Sequence, residues 1–393
     1  MERNAYRVCA EISLDALEHN ISCIRSAAAG AKLMCVIKAN AYGHGAVVLA
    51  RQLLQMGADA FAVAALEEGI ELRRNGIKCP ILVLGYTSPF LYREMIEYDI
   101  MPAVFTYDMA REIDAAAREL GKVCPIHIKI DTGMSRIGFA VSEEAVKNIV
   151  MISGLCRNLK IEGIFTHFSC ADCKDDELTQ QQADRFRWML DQLEQKDIHI
   201  PCVHCANSAA IMRYPQLKMN MVRAGIILYG LYPSEEIDKS LMELEPVMQL
   251  KSRVSYIKTV EAGTTVSYGA TFVCSRKTKI ATVSAGYADG YPRAASNRGR
   301  VLIREQSFPI IGRVCMDQLM VDITDARNDI HQGDEVVLVG GQGSEFIPVE
   351  EVADFAGSFN YEFVCNINRR VPRIYSRDGR DVLTVDYLMG KES

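Results

Sequence analysis

The 393-residue chain has little of what marks a membrane, nucleic-acid-binding or secreted protein. It contains no uninterrupted apolar run of about 20 residues, the length that spans a bilayer. Lysine and arginine number 44 against 50 aspartates and glutamates, so the net charge of −6 offers no basic surface to nucleic acid or anionic lipid. The N-terminus lacks an apolar core followed by small cleavage-site residues, so we expect no secretory signal and a cytoplasmic protein.

The thirteen cysteines do not form a disulfide pattern, because their number is odd and they are scattered through apolar runs. Cys170-x-x-Cys173 and Cys202-x-x-Cys205 together resemble a four-thiolate zinc site. The spacing between the two pairs is longer than in zinc ribbons. Cys202 and Cys205 would also lie on a strand, where positions i and i+3 point to opposite faces. We therefore expect reduced, buried thiols and no bound metal.

The composition, 49% hydrophobic and 24% charged, is typical of a globular protein. At 393 residues the chain exceeds the size at which one hydrophobic core usually keeps growing, so two domains are expected.

Short apolar runs alternate with amphipathic segments in the first 223 residues. The runs are Leu33–Ile37, Ala60–Ala64, Ile81–Leu84, Met101–Phe105, Ile126–Ile130, Ile161–Phe165, Pro201–Cys205 and Met219–Arg223. Helix signals lie between them: after Thr106, apolar residues recur at spacings of three to four until Gly121 ends the segment. This alternation within about 200 residues predicts an α/β fold, an N-terminal (β/α)8 barrel of the TIM type.

From about Leu241 the chain becomes rich in strand patterns and poor in helix patterns, and turn signals such as Gly340-Gly341 separate the strands. We predict a barrel over residues 8–240 and a C-terminal all-β domain over residues 241–390. The opening segment, residues 1–12, contains a strand that pairs with either domain; the sequence leaves both options open.

Chemistry-bearing residues follow several of the barrel strands. Lys38 ends the first strand, on the face where barrel enzymes build active sites and where an amine can be desolvated to form a Schiff base. Ser208 follows the seventh strand, and Gly225 and Ile226 follow the eighth, where backbone amides commonly grip a phosphate. A solvated lysine and ordinary turn chemistry are the alternatives. A lysine and a phosphate grip on one face favour pyridoxal phosphate.

Motifs along the whole chain resemble those of bacterial alanine racemases. In order, they read VIKANAYGHG, HIKIDTGMSRIG, GIFTHFS, NSAA, VRAGIILYG, VSYGATF, GYADGYPR and GRVCMDQLMVD. The resemblance implies an isomerase that uses pyridoxal 5′-phosphate to interconvert L-alanine and D-alanine, a small-molecule substrate, and supplies D-alanine for peptidoglycan.

The resemblance gives Lys38 and Tyr268 the central catalytic roles. Lys38 would be both the Schiff-base anchor and one proton-transfer base, and Tyr268 the other. Two bases are needed because the Cα proton leaves from one face of a planar carbanion and returns on the opposite face. Arg223 would face the pyridine nitrogen; since an arginine cannot accept a proton, it would keep that nitrogen unprotonated and disfavour transamination.

The resemblance also implies how cofactor and substrate are held. Tyr42, Asn207 and Ser208, with the amides of Gly225 and Ile226, would hold the phosphate, and His167 would lie against the cofactor ring. Arg136 would bind the substrate carboxylate with its planar fork of donors. Met316, with Asp317 beside it, would close the substrate pocket.

Two further implications concern the dimer and a lysine. In this family the counterparts of Tyr268 and Met316 reach the active site of the partner subunit, which implies a head-to-tail homodimer. Lys129 lies seven residues before Arg136, so two cations would meet in a partly dry pocket. Relatives carbamylate this lysine; an ion pair between Lys129 and Asp131 is the alternative of nearly equal weight.

Substrate preference stays open because Arg369 stands where many relatives have a tyrosine before the Arg-Val-Pro-Arg sequence. The stretch ILVLGYT also resembles the racemase part of membrane-bound serine racemases from vancomycin-resistance systems, so serine is an alternative substrate. A decarboxylase of the same architecture is disfavoured by Arg223, because those enzymes generally place an acidic residue at the ring nitrogen. A cofactor carrier is disfavoured because such proteins are single barrels without the β domain.

Overall fold

The computed structural model describes residues 5–392. Within that range the chain divides into two compact units. We call residues 18–41 and 46–245 the barrel unit, and residues 5–17, 42–45 and 246–392 the β unit.

The strands are short in the barrel unit and longer in parts of the β unit. In chain order they are β1 (Val8–Ser13), β2 (Lys32–Val36), β3 (Ala60–Val63), β4 (Ile81–Val83), β5 (Met101–Val104), β6 (Cys124–Asp131), β7 (Phe139–Ala140), β8 (Leu159–Phe165), β9 (Cys202–His204), β10 (Met221–Ala224), β11 (Met248–Val260), β12 (Thr265–Val266), β13 (Phe272–Val273), β14 (Thr278–Val283), β15 (Arg300–Ile303), β16 (Gln306–Pro309), β17 (Leu319–Asp322), β18 (Glu335–Gln342), β19 (Glu345–Ile347), β20 (Arg373–Arg377), β21 (Arg380–Asp386) and β22 (Lys391–Glu392).

Most helices follow barrel strands. In chain order they are α1 (Leu14–Ala28), α2 (Lys38–Tyr42), α3 (Ala46–Gln55), α4 (Leu66–Arg74), α5 (Tyr92–Glu97), α6 (Tyr107–Glu119), α7 (Glu143–Leu155), α8 (Glu177–Glu194), α9 (Ser208–Arg213), α10 (Val349–Asp354) and α11 (Asn360–Cys365). Among the helices of residues 5–392, none combines the length and apolar character needed to cross a bilayer.

The barrel unit is built on a parallel sheet in the order β10-β2-β3-β4-β5-β6-β8-β9, with β7 beside β6. The edge strands β9 and β10 approach each other, and the Arg223 amide donates to the Ala206 carbonyl at 3.0 Å. The strands are mostly buried, as expected for short apolar strands covered on both faces. The nearly closed sheet confirms the predicted (β/α)8 barrel.

Helix α6 shows how local signals position the barrel layers. Thr106 is its N-cap, and the hydroxyl accepts from the Met109 amide at 3.1 Å. The apolar residues at spacings of three to four, including Met109, Ile113 and Ala117, are buried. Gly121 follows the helix end with φ of 63°. The sequence pattern predicted these boundaries because cap, period and stop signal agree.

The β unit contains the larger sheet, with strand order β16-β15-β18-β11-β1-β20-β21-β22 and with β14, β17 and β19 paired off this path. Strand β1 lies inside this sheet, antiparallel to β11 and parallel to β20. The opening strand, which the sequence left open, therefore pairs within the β unit. The unit also contains the short helices α10 and α11, which the strand-rich pattern did not predict.

A buried arginine explains why residues 42–45 group with the β unit. Arg373 is fully buried, and its Nε donates to the Gly43 carbonyl at 2.9 Å while its other donors reach nearby carbonyls. The Tyr375 hydroxyl donates to the His44 carbonyl at 2.9 Å. A Cβ at Gly43 would lie 2.1 Å from the Val364 carbonyl oxygen, so only glycine fits there.

Candidate active site

Four of the predicted site residues lie at or beyond the carboxyl ends of barrel strands. Lys38 follows β2, His167 follows β8, Ser208 follows β9 and Arg223 lies near the end of β10. The ends of parallel barrel strands meet on one face, which is the face that carries the chemistry in barrel enzymes. Burial, followed by the charges of Arg223, Lys129, Arg136 and Lys38, lowers the pKa of His167.

The segment after Lys38 has an unusual backbone. Four consecutive residues have positive φ angles between 51° and 55°: Ala39, Asn40, Ala41 and Tyr42. Helix α2 is thus a left-handed turn, which costs about 1–2 kcal/mol for each L-residue that adopts it. The Ala41 amide donates to the Ile37 carbonyl, and the Asn40 side chain accepts from the Ala46 amide, each at 2.9 Å. Backbone strain of this kind is concentrated at functional sites.

The two loops that carry the predicted phosphate-binding residues are in contact within the barrel unit. The Gly225 amide donates to the Ser208 hydroxyl at 3.0 Å. Asn207 is the N-cap of α9, and its side-chain oxygen accepts from the Ala210 amide at 3.0 Å. Ser208 and Ile226 each begin a helical segment, and the first N–H groups of a helix have no acceptor inside it. These amides suit an anion.

Arg223 is held in a cage of carbonyls and imidazoles. Only 3% of it is exposed, and its terminal nitrogens donate to the carbonyls of Thr166, His204 and Cys205 and to Nδ1 of His204 and of His167, at 2.8–3.2 Å. All of these bonds use Nη1 and Nη2. The remaining donor, Nε–H, makes no hydrogen bond within the described part of the chain. Arg223 is therefore a rigid cation with one donor left for a ligand.

Two buried histidines, His127 and His204, form a relay behind this arginine, and the half-buried His167 flanks it. Because Arg223 can only donate, Nδ1 of both His204 and His167 must accept, and each ring carries its proton on Nε2. Nε2 of His204 lies 2.9 Å from Nδ1 of His127 and donates to it. Burial and the charge of Arg223 lower the pKa of His127 to about 3 and hold the pKa values of His167 and His204 well below 6.5. The relay is uncharged at neutral pH.

This relay predicts how stability depends on acid. A histidine whose pKa is lowered by folding stabilises the native state fully above pH 6.5, and that contribution falls between pH 6.5 and about 3 because the unfolded chain binds the proton first. We expect the unfolding free energy to lose about 1.4 kcal/mol per pH unit for each such group. His127→Gln removes one of these groups, so unfolding of the variant should take up one proton fewer. The pH dependence of its unfolding free energy, measured by urea unfolding between about pH 7 and pH 5, should be correspondingly weaker. His199→Gln, at an exposed histidine, is the control; equal slopes in all three proteins would contradict the prediction.

Lys129 and Arg136, which lie seven residues apart, interact electrostatically. Lys129 is buried, and its Nζ donates to the Ile130 carbonyl at 3.0 Å. Burial, followed by the charges of Arg223 and Arg136, lowers the pKa of Lys129 to about 7, while Asp131 opposes the shift. A substantial fraction of this amine is therefore neutral at physiological pH.

The loop that carries Arg136 is shaped by Asp131. One oxygen of this carboxylate accepts from the amides of Gly133 and Ser135, each at 3.0 Å. Ser135 has a positive φ of 56°, which turns the chain just before Arg136. The Arg136 side chain is exposed. The Asp131 carboxylate thus accepts hydrogen bonds from the loop backbone. The hydrogen bond of Lys129 is to the Ile130 carbonyl.

Tyr42 belongs to the β unit and packs with a residue that the sequence analysis did not select. Tyr42 is buried, and its ring centroid lies 6.1 Å from that of Tyr361 in α11. The Tyr42 carbonyl bonds Nδ1 of the buried His44 at 2.9 Å. Tyr361 lies on a six-residue helix and belongs to no recognisable motif, so its contact with Tyr42 could be found only from the structure.

Tyr268 and Met316 lie on two loops of the β unit that brace each other. The Ser267 hydroxyl donates to the Arg313 carbonyl at 2.7 Å and lies 3.5 Å from the Cys315 thiol. Tyr268 is 70% exposed and Met316 is 52% exposed. Both side chains are therefore open to solvent in the single chain.

Asp317 is part of an ion-pair network that supports the Met316 loop. Arg370 bonds Asp317 at 2.7 Å and the buried Asp289 at 2.8 Å, and Arg7 also pairs with Asp289. The Ala288 amide donates to the Met316 carbonyl at 3.0 Å. In this structure the Asp317 carboxylate is therefore engaged with Arg370.

Arg369, the departure from the family pattern, also has a defined place. Its guanidinium lies 5.1 Å from the centroid of the Tyr387 ring, and Arg373 approaches the same ring at 5.6 Å. Cation–π contacts of this kind hold the arginine over the aromatic face.

A cavity lies at the opposite end of the barrel from Lys38. It has a volume of about 580 Å³ and is lined by residues at the amino ends of strands, such as Lys32, Ala60, Met101 and Met221. Barrel enzymes bind substrates at the carboxyl ends, so the phosphate loops and Lys38 define the candidate site instead.

A cluster of His127, Cys202 and His204 has the donor types of a metal site, with ligand atoms within 4.8 Å of one another. Arg223 donates to Nδ1 of His204, so the proton of that ring must lie on Nε2. Nε2 is the nitrogen that would have to bind the metal. The cluster is better described as the hydrogen-bond relay, and we assign no metal to it.

The sequence analysis missed His127 and His204, and it also missed Glu68, whose carboxylate accepts from the Ala39 amide next to Lys38. The two histidines occupy apolar strands, where a satisfied core histidine is the ordinary expectation. Glu68 reads as the third residue of a helix. No local signal identifies any of them, because their partners are distant in sequence.

Comparison with known proteins agrees with this architecture. The family sequence model for the alanine racemase N-terminal domain matches residues 12–233, and the family sequence model for the alanine racemase C-terminal domain matches residues 247–375. The alanine racemase of Clostridium novyi (strain NT) is 45% identical over 381 residues, which cover 97% of this chain and 98% of that relative.

Solved structures extend the comparison. Alanine racemase from Clostridium difficile 630 superposes with a TM-score of 0.93 at 44% identity and covers 98% of this chain and 99% of its own. Histidine racemase from Leuconostoc mesenteroides subsp. sake NBRC 102480 superposes with a TM-score of 0.87 at 30% identity, over 94% of this chain and 98% of its own. By both domain matches and full-length identity, the chain belongs to the alanine racemase family.

Proposed function

We propose that the protein interconverts L-alanine and D-alanine with pyridoxal phosphate held at Lys38. The observation that carries the proposal is the Arg223 cage, which presents a fixed cation with one donor to spare on the barrel face of Lys38. An amino-acid decarboxylase generally needs a carboxylate at that position. A racemase instead benefits from a donor-only group that leaves the ring nitrogen unprotonated.

The residues present fit this cofactor. The amides of Ser208 and Ile226 suit its phosphate, and Gly225 joins their two loops because its own amide donates to the Ser208 hydroxyl. The Nε–H of Arg223 suits an uncharged ring nitrogen, which needs a donor. His167 is held neutral by burial and by the charge of Arg223, which lower its pKa, so it can lie beside an aromatic ring without adding charge. Tyr42 and the capping residue Asn207 complete the proposed binding set.

Bound pyridoxal phosphate supplies an electron-accepting ring that makes the Cα–H bond of the amino acid acidic. Lys38 would attach the cofactor through its ε-amine and exchange the Cα proton on one face. Tyr268 would exchange it on the other face. The substrate carboxylate would be bound by the exposed, adaptable guanidinium of Arg136. Met316 would limit the pocket, and Asp317 would hold its loop through Arg370.

The proposal includes a head-to-tail homodimer. Tyr268 and Met316 are exposed in the single chain, whereas a catalytic phenol needs a pocket that excludes water. A second copy that covers these loops would provide that pocket. Tyr268 of one subunit would then face Lys38 of the other subunit. The sequence-based division into domains at residues 8–240 and 241–390 remains part of this proposal.

Alanine is the favoured substrate because the relatives from Clostridium novyi and Clostridium difficile compared above are alanine racemases over nearly their full length. The serine alternative depends only on the short ILVLGYT stretch. The carrier alternative is disfavoured by the complete C-terminal domain. The experiment is a chiral chromatography assay in deuterated water with pyridoxal phosphate and L-alanine, L-serine or L-histidine. D-Alanine carrying deuterium at Cα supports the proposal. No inversion of alanine by a protein that binds the cofactor would refute it.

Lys129 is proposed to carry a carbamate. Its pKa of about 7 leaves a neutral amine that can attack carbon dioxide, forming an N–C bond and releasing one proton. The resulting anion would lie near Arg136 and relieve the repulsion between the two cations. With ¹³C-labelled bicarbonate, we expect a carbamate resonance that grows as the pH rises through about 7 at fixed dissolved carbon dioxide.

Two variants check the assignment. Lys129→Gln should lose the resonance, and Lys160→Gln, which alters an exposed lysine paired with Glu162, should keep it. The absence of a labelled adduct in the unmodified protein would return the choice to an ion pair with Asp131.

A further inference from the structure

Glu68 uses both oxygens of its carboxylate, and the two serve different parts of the barrel unit. Oε2 accepts from the amides of Ala64 and Ala65 at 2.8 and 3.1 Å. Oε1 accepts from the Ala39 amide at 2.6 Å. The carboxylate therefore joins the chain after β2 to the chain after β3.

The bonds of Oε2 are explained by helix capping. Glu68 is the third residue of α4, and Ala65 is its N-cap, so the carboxylate closes the first turn as in a capping box. Capping needs no contact with Ala39, which lies 29 residues away in sequence. The short bond of Oε1 is thus an additional function of the same side chain.

Ala39 is the residue at which the left-handed turn begins, directly after Lys38. Four consecutive strained residues persist only where their surroundings fix them. A hydrogen bond to a carboxylate is roughly twice as strong as one between neutral groups. The Oε1 bond holds the peptide between Lys38 and Ala39, and the orientation of this peptide fixes the direction in which the Lys38 side chain leaves the backbone.

We propose that Glu68 is a positioning residue for Lys38: by clamping the Ala39 amide, it holds the strained turn and aims the ε-amine at the cofactor and substrate. The inference rests on the proposed function, because it assigns Lys38 the role of anchor and base. It adds a residue that touches neither substrate nor cofactor and acts through the backbone.

Glu68→Gln tests the proposal because glutamine has one acceptor oxygen and an amide nitrogen that only donates. It can serve the α4 amides or the Ala39 amide, but not both. We expect kcat to fall about 10- to 100-fold while KM for alanine stays within about twofold, since the base is displaced but Arg136 is not. The pH midpoint of the cofactor absorbance should shift, and amide exchange in the peptide spanning residues 38–46 should accelerate.

Glu67→Gln is the matched control, since this exposed neighbour lies in the same first turn of α4. It should change none of these readouts. If Glu68→Gln does not fold, Glu68→Asp replaces it: the shorter carboxylate keeps the charge at the helix start but cannot span both sets of amides.

The outcomes separate a positioning role from a structural one. A lower unfolding midpoint in urea with an unchanged absorbance titration, kcat and amide exchange would reduce Glu68 to a helix cap and overturn the inference. If the unsubstituted protein binds pyridoxal phosphate but does not invert alanine, the proposed function fails. If it inverts alanine and the variant keeps its spectrum and exchange, only the inference about Glu68 fails.

Discussion

Lys38→Ala should lower racemase activity by about 10⁴-fold or more, because one substitution removes the covalent anchor and one of the two bases. The loss should appear in kcat with L-alanine and with D-alanine alike. The variant should also lack the absorbance of lysine-bound cofactor while still retaining some pyridoxal phosphate through the proposed phosphate-binding amides of Ser208 and Ile226.

The control for this variant lies at the other end of the strand that precedes Lys38. Lys32 opens β2 at its exposed end, so Lys32→Ala removes a charge without approaching the site. Added methylamine should restore part of the activity of Lys38→Ala, because a free amine can replace the missing base. Unchanged activity in Lys38→Ala would exclude Lys38 from the chemistry and with it the proposed mechanism.

Tyr268→Phe should lower kcat/KM for racemisation by about 10²- to 10⁴-fold. Proton exchange at Cα on the face served by Lys38 should remain. The phenol is the base for one face only, so Lys38 can still exchange the Cα proton of the enantiomer that presents it. In deuterated water we expect one enantiomer of alanine to gain deuterium without inversion. Lys38→Ala should lose this exchange as well.

Thermodynamics provides an internal check on Tyr268→Phe. The two enantiomers of alanine have equal free energies, so kcat/KM must fall by the same factor in both directions. Only the exchange reaction can be one-sided. Tyr256→Phe, at another exposed tyrosine of the β unit, is the control. Equal deuterium exchange with both enantiomers would rule out Tyr268 as a separate base.

The same two variants test whether the site is shared between subunits. When Lys38→Ala and Tyr268→Phe subunits are mixed and allowed to exchange, half of the dimers are hybrids. If each site combines Lys38 of one copy with Tyr268 of the other, one site of every hybrid contains neither substitution, and about a quarter of full activity returns. No recovery in verified hybrids would place both residues of a site in one chain.

Much of this fold could be read from the sequence because its local signals agree with one another. The barrel strands are short apolar runs, and the capped, periodic segment after Thr106 is the helix α6 that it predicted. Lys38, Ser208 and Gly225 could be chosen as candidates because strand ends in a barrel converge on one face. Lys129 and Arg136 could be considered together because they lie seven residues apart on one strand and the loop that follows it.

Other features could not be predicted because they depend on partners distant in sequence. The left-handed turn at residues 39–42 is built from ordinary L-residues with no glycine among them, and contacts from elsewhere in the barrel unit hold it. The relay of His127, His204 and Arg223 joins three strands. Helices α10 and α11 are each six residues long, too short for a clear periodic pattern.

The sequence by itself determined the barrel, the strand-rich C-terminal half, the family and the identity of most candidate residues, since hydrophobic period, turn residues and motifs are local properties. Only the tertiary structure decided where β1 pairs, because an apolar strand fits either sheet until its neighbours β11 and β20 are in place. It also decided how Lys38 is aimed. That direction depends on Glu68, a carboxylate thirty residues further along the chain, whose bond to the Ala39 amide forms only once β2 and β3 lie side by side.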